Sequence, residues 1–122
     1  MQEGLETLRQ ELAEFAAERD WEQFHTPKNL AMALAGEVGE LAAELQWLTD
    51  EEIRQGLATG VLRQRVAGEV ADVFIYLLRL ADVCGIELLS AAHAKVVENR
   101  VRYPVEKARG NARKYDELAD EE

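Results

Sequence analysis

Apolar residues recur along this chain at the three- and four-residue spacing of a helix, and no segment shows the alternation of a half-buried strand. Leu5, Leu8, Leu12, Phe15 and Ala16 form the first series, which ends near Arg19. Thr26-Pro27 predicts a helix start, with Thr26 as N-cap and Pro27 at the first helical position, where its missing N–H costs nothing. The second helix is expected to run to about Trp47, with Leu30, Leu34, Val38, Leu41, Leu45 and Leu48 on one stripe. Thr49-Asp50-Glu51-Glu52 has capping-box spacing and predicts a short helix. A long helix follows from about Val61 to Cys84, striped by Val66, Val70, Val73, Leu77 and Leu80, with Gly85 as its terminator. The last helix spans about Leu88 to Arg102 and stops before Pro104. Beyond Pro104 the chain is expected to be irregular. The fold class is therefore all-α, a bundle of four to five helices.

At 122 residues the chain has the length of one domain. The expectation is a single domain over 1–115 and an acidic flexible tail over 116–122. Cys84 is the sole cysteine, so no intrachain disulfide exists, and no Cys/His cluster offers a zinc site. No apolar run reaches the roughly 18–20 residues of a membrane span. The N-terminal segment MQEGLETLRQELAEF is acidic where a secretion signal is basic and apolar. A soluble cytoplasmic protein is expected, without a membrane partner. The net charge of −10 argues against binding a nucleic-acid duplex, which relies on clustered Lys and Arg.

Two segments carry chemistry. Gly36-Glu37-Val38-Gly39-Glu40 lies on the second helix and Gly68-Glu69-Val70-Ala71-Asp72 on the long one. Each provides two carboxylates three residues apart, on one helix face. When the two stripes meet, all four converge at one edge of the seam. Four close carboxylates repel and resist ionisation, and a hard divalent cation relieves this. Ligation by oxygen alone favours Mg2+, with Mn2+ as a substitute, over zinc. Gly36, Gly39 and Gly68 stand beside these acids although a mid-helix glycine costs about 0.8–1 kcal/mol. Close helix approach, or room for phosphates, would account for them. A single acidic pair at this spacing is commonly a solvated helix face; two pairs on the two most apolar helices, both bordered by glycine, weigh against that reading without excluding it.

With Glu37-x-x-Glu40 and Glu69-x-x-Asp72 in place, the chain resembles the MazG-like all-α nucleoside triphosphate pyrophosphohydrolases. Lys95-x-x-x-Asn99-x-x-Arg102-Tyr103-Pro104 is similar to that family's third block. Within the family the dCTP pyrophosphatase branch is nearest. Glu18 to His25, Gly36 to Trp47, and Ala108 to Tyr115 all look like segments of that branch. The likeness covers about Leu8 to Leu118. It implies Mg2+-dependent hydrolysis of a nucleoside triphosphate, dCTP or a modified dCTP, to the monophosphate and pyrophosphate. It implies Glu37, Glu40, Glu69 and Asp72 as metal ligands, and a homotetramer built as a dimer of dimers.

Bound metal neutralises charge developing at the α-phosphate and the leaving pyrophosphate. Glu37 or Glu40 is the candidate to accept the proton of the attacking water. Half of the chain's fourteen basic residues lie within 95–115. Lys95, Asn99, Arg102, Arg109, Arg113, Lys114 and Tyr115 are the candidates for the phosphates and sugar. Trp21, His25, Trp47 and Tyr76 are the candidates for the base, since aromatic faces stack on nucleobases. Leu12 departs from the close dCTP-cleaving relatives, which carry a histidine there, and this opens the question of base preference. The competing readings are a pyrophosphatase of the same fold acting on dUTP or another non-canonical nucleotide, and a non-catalytic helical interaction module. A ferritin-like di-iron bundle would require a Glu-x-x-His pair on each of two helices, whereas the acidic pairs of the two helices here are Glu-x-x-Glu and Glu-x-x-Asp.

Overall fold

Chain termination signals, more than helix propensity, fix where each element of this protein begins and ends. The computed structural model describes residues 2–119. Helix α1 spans Gln2–Glu18 and buries Ala16 completely. It ends on Asp20, whose φ of 55° is left-handed. The Asp20 and Trp21 amides donate back to the Ala17 and Ala16 carbonyls, a Schellman closure with aspartate in the place usually held by glycine. This turn sets the direction in which Trp21 leaves the helix. A single 3-10 turn, Glu22–Phe24, follows.

Helix α2, Pro27–Leu45, starts as expected: the Thr26 side chain accepts from the Asn29 amide, and proline occupies the first turn. It stops two residues before Trp47. Helix α3, Asp50–Ala58, opens on a complete capping box between Thr49 and Glu52. Loss of the Thr49 hydroxyl in Thr49→Ala is expected to destabilise the protein by about 1 kcal/mol, read as a fall in Tm with turnover at ambient temperature unchanged. Gly56 lets α3 approach the next helix closely: a Cβ there would lie 2.5 Å from Leu62 Cδ2.

Helix α4, Val61–Val83, is the central element, in contact with α1, α2 and α3, most extensively with α2. Gly85, with φ 69°, closes it. The Gly85 and Ile86 amides donate to Asp82 and Ala81, as expected of a glycine at this position. The buried side of α4 differs from the expected stripe. Leu78, Arg79 and Ala81 are buried, whereas Val70, Phe74 and Leu77 are exposed. A 23-residue helix with apolar residues on several faces has no unique stripe, and contacts with three neighbours decide which face is covered.

Helices α1–α4 form one compact unit that ends at Ile86, and a second begins at Glu87. In the second, α5 spans Leu88–Arg102, N-capped by the Glu87 carboxylate on the Ser90 amide. The region past Pro104, expected to be irregular, contains two short helices, α6 at Val105–Ala108 and α7 at Tyr115–Ala119. Pro104 fails to continue α5 but is itself the N-cap residue of α6. Leu118 of α7 is buried, so the acidic segment 116–122 starts as helix; residues 120–122 lie outside the described residues. Among the described residues there is no strand, and no helix is long and apolar enough to cross a membrane.

Candidate active site

Glu37 and Glu40 lie one turn apart on α2, and Glu69 approaches them from α4. One carboxylate oxygen from each lies within 4.8 Å of the others. Glu37 and Glu69 are half-buried and Glu40 is exposed. Glu37 Oε2 and Glu69 Oε2 are buried without a hydrogen-bond partner. Orphaned carboxylate oxygens are costly, and a cation among these three groups would relieve that cost. Burial, then Glu40, then the charges of Asp72 and Glu69 push the Glu37 carboxyl above its usual range. Burial, Glu40, Asp72 and Glu44 do the same to Glu69. Asp72 stands outside the tight trio but within reach of its field. Glu44, one turn past Glu40, also contributes; it was not among the candidates named above, although its spacing from Glu40 places it on the same helix face. Oxygen donors of this number and charge fit a hard divalent cation.

The glycines beside these acids do not serve close approach within the chain. A Cβ at Gly36, Gly39 or Gly68 would meet nothing within 4 Å.

These shifts give a sign for pH dependence without metal. Folded Glu37 and Glu69 bind protons more tightly than the unfolded chain does, so folding is favoured at low pH and this contribution is lost as pH rises. Metal-free protein is therefore expected to gain stability as pH is lowered from neutral toward the ordinary carboxylate value of 4.5. Thermal melts in chelator across that interval check this, and a steady loss of stability would contradict it.

Beside the carboxylates opens a cavity of about 430 Å3, lined by Leu8, Glu11, Leu12 and Phe15 of α1, Trp21 and His25, and Asp72, Ile75, Tyr76 and Arg79 of α4. Its volume suits a small organic ligand. Trp21 stands edge-on to both Phe15, at 5.7 Å between ring centres, and His25, at 6.3 Å. Burial and the Arg79 charge lower the His25 pKa, favouring the neutral imidazole. Three of the four expected base-binding residues, Trp21, His25 and Tyr76, thus meet at one cavity that Asp72 shares. Trp47 is not with them. It lies past the end of α2, 86% exposed.

Arg79 also lines the cavity, although no sequence pattern singled it out. It lies seven residues after Asp72 and three after Tyr76, on the same helical face, and is the lone cation in the run 71–83. Its guanidinium donates to His25 Nδ1 at 3.0 Å and to Asp82 at 3.4 Å.

In the second unit, Glu98 of α5 holds both Lys95, at 3.0 Å, and Arg102, at 2.6 Å. The Arg102 guanidinium lies 4.6 Å from the centre of the Tyr115 ring. With Val101, Pro104, Lys107 and Leu118 these two line a cavity of about 190 Å3. Asn99, Arg109, Arg113 and Lys114 are exposed. Arg102 and Tyr115 are therefore brought together. Lys95 reaches only Glu98 among the described side chains.

The sequence profile described as the MazG-like family matches residues 34–118. A protein named dCTP pyrophosphatase 1 in Bos taurus is 52% identical over 116 residues, covering 93% of this chain and 68% of the relative. The Homo sapiens protein of that name is 53% identical over 116 residues, covering 93% and 67%. The crystal structure of a pyrophosphatase from Archaeoglobus fulgidus superposes with a TM-score of 0.77 at 39% identity, covering 83% of this chain and 93% of that one. A profile match over most of the chain, and half-identical relatives along nearly all of it, establish that this protein belongs to the MazG-like family.

Proposed function

We propose that the protein is a nucleoside triphosphate pyrophosphohydrolase that cleaves dCTP or a modified dCTP to the monophosphate and pyrophosphate, a nucleotide-pool sanitation activity. The relatives named dCTP pyrophosphatase support the substrate class. The observation that carries the reading is the carboxylate trio beside a base-sized cavity, with Asp72 on the cavity wall and within reach of the trio's charges. Glu37, Glu40, Glu69 and Asp72 hold Mg2+, for which Mn2+ substitutes. When bound, the cation supplies charge neutralisation at the phosphates and acidifies the attacking water. Glu37 or Glu40 accepts the proton of that water as it attacks the α-phosphorus, and the bond to pyrophosphate breaks. Trp21, His25 and Tyr76 hold the base, with Trp47 supplied by an assembled neighbour. Lys95, Asn99, Arg102, Arg109, Arg113, Lys114 and Tyr115 bind the phosphates and sugar.

Pyrophosphate release across canonical and modified dNTPs, with and without Mg2+, tests this. Mg2+-dependent release that is fastest from a cytosine nucleotide is expected; orthophosphate as the sole product, or no turnover of any nucleotide, would overturn it. Removing a stacking face in Trp21→Ala is expected to raise KM about tenfold or more, with a smaller effect on kcat. Leu12 on the cavity wall favours a second reading, in which dUTP or another non-canonical nucleotide is preferred over a cytosine nucleotide. Competition in kcat/KM within the same panel decides between them.

Self-association as a homotetramer, a dimer of dimers, fits the exposed apolar series Val70, Phe74 and Leu77 on α4, which is larger than isolated surface apolar residues require. Phe74→Glu is expected to shift the protein to a smaller species in sedimentation. An unchanged sedimentation coefficient would place the interface elsewhere.

A further inference from the structure

We propose that Arg79 is a positioning residue for base recognition: its buried guanidinium fixes His25 in the tautomer protonated at Nε2, so that the cavity presents a hydrogen-bond donor to an acceptor on the nucleobase edge. The proposal rests on reading the cavity as the base site. Arg79 is 8% exposed and lines the same cavity as His25. A guanidinium has donors only. Its Nε–H donates to His25 Nδ1 at 3.0 Å, so Nδ1 must turn a lone pair toward it. The proton of the neutral ring then resides on Nε2, the opposite edge. A proton on Nδ1 would set donor against donor.

Arg79 is itself held from behind. Its Nη1 donates to Asp82 Oδ2 at 3.4 Å, while Asp82 Oδ1 accepts from Arg9 of α1 at 3.1 Å. The chain from Arg9 through Asp82 and Arg79 to His25 ties α1, α4 and the connector before α2 into one network. Trp21, edge-on to His25, limits rotation of the imidazole. A ring fixed in tautomer and orientation before the ligand arrives offers a donor without a further ordering cost.

The test is nitrogen-detected NMR of the His25 ring in the full-length protein, combined with kinetics of Arg79→Met, which keeps the aliphatic bulk and removes every donor. The wild-type ring is expected to carry its proton on Nε2, and Arg79→Met to redistribute it between the nitrogens. KM for dCTP is expected to rise about tenfold, as for loss of one oriented hydrogen bond, with the loss falling on KM rather than kcat. On a His25→Ala background the same substitution should add nothing, because Arg79 acts through His25. A wild-type ring protonated on Nδ1 would overturn the proposal, as would an equal rise in KM with and without His25. The wild-type tautomer is read without substrate, so it stands whether or not Arg79→Met folds, and whether or not dCTP is turned over.

Discussion

Glu69→Gln is expected to reduce kcat by about 100- to 1000-fold, the scale on which single preorganised electrostatic contacts at a reaction centre act, while leaving the protein folded. Glutamine keeps the shape of the side chain and removes its charge. Glu69 is the member of the trio supplied by α4, and its Oε2 is buried without a partner. With Asp72 it is one of the two carboxylates that α4 offers to the proposed cation, so its loss halves the charge from that helix. The same change relieves repulsion from Glu40, Asp72 and Glu44. Metal-free Glu69→Gln is therefore expected to melt higher than metal-free wild type at neutral pH. Lower activity together with higher apo stability is the signature of a site whose acids serve function rather than folding. A variant that loses activity and stability in parallel would mark Glu69 as structural.

Divalent metal should have the second large effect. Chelation is expected to abolish turnover and, at fixed protein concentration, to lower Tm by about 10 °C relative to protein with metal at about a hundred times its Kd. That ratio corresponds to about 2.7 kcal/mol of linkage, and for a domain near this size each kcal/mol moves Tm by about 4 °C. The origin of the effect is visible in the carboxyls of Glu37 and Glu69, both pushed above their usual range by burial and by neighbouring acids. Metal should also reverse the pH trend, because protons and cation then compete for the same oxygens. Stability in excess Mg2+ is expected to fall on acidification, opposite to the trend in chelator. Identical pH trends in Mg2+ and chelator would show that the cation does not sit on these groups.

Local signals wrote most of the fold legibly. Thr26-Pro27, the Thr49–Glu52 box, Gly85 and Pro104 act within a few residues of themselves, and each bounds a helix at or next to the expected position. The covered face of α4 was less legible, since Val70, Phe74, Leu77, Ile75 and Leu78 are all apolar and only tertiary contacts choose among them. The short helices past Pro104 were hidden for a related reason. At four and five residues they are too short to show a period and are stabilised by context.

In the site, the paired acids on α2 and α4 followed from spacing alone. Arg79 did not, because an arginine in an apolar helix discloses its role only when His25, 54 residues away in sequence, is brought against it. Trp47 marks the opposite limit. Its residue type pointed to the base, yet within the single chain it is exposed and does not line the cavity, and assembly would have to supply its contact.

The carboxylates of α2 and α4 are proposed to bind a divalent cation together. Anomalous scattering from a crystal grown with Mn2+ and a non-hydrolysable cytosine nucleotide measures this directly. Manganese peaks bounded by Glu37, Glu40, Glu69 and Asp72 are expected, with the nucleotide's phosphates against the metal and its base between Trp21, His25 and Tyr76. Manganese bound elsewhere, with those four side chains turned apart into water around an ordered nucleotide, would contradict it.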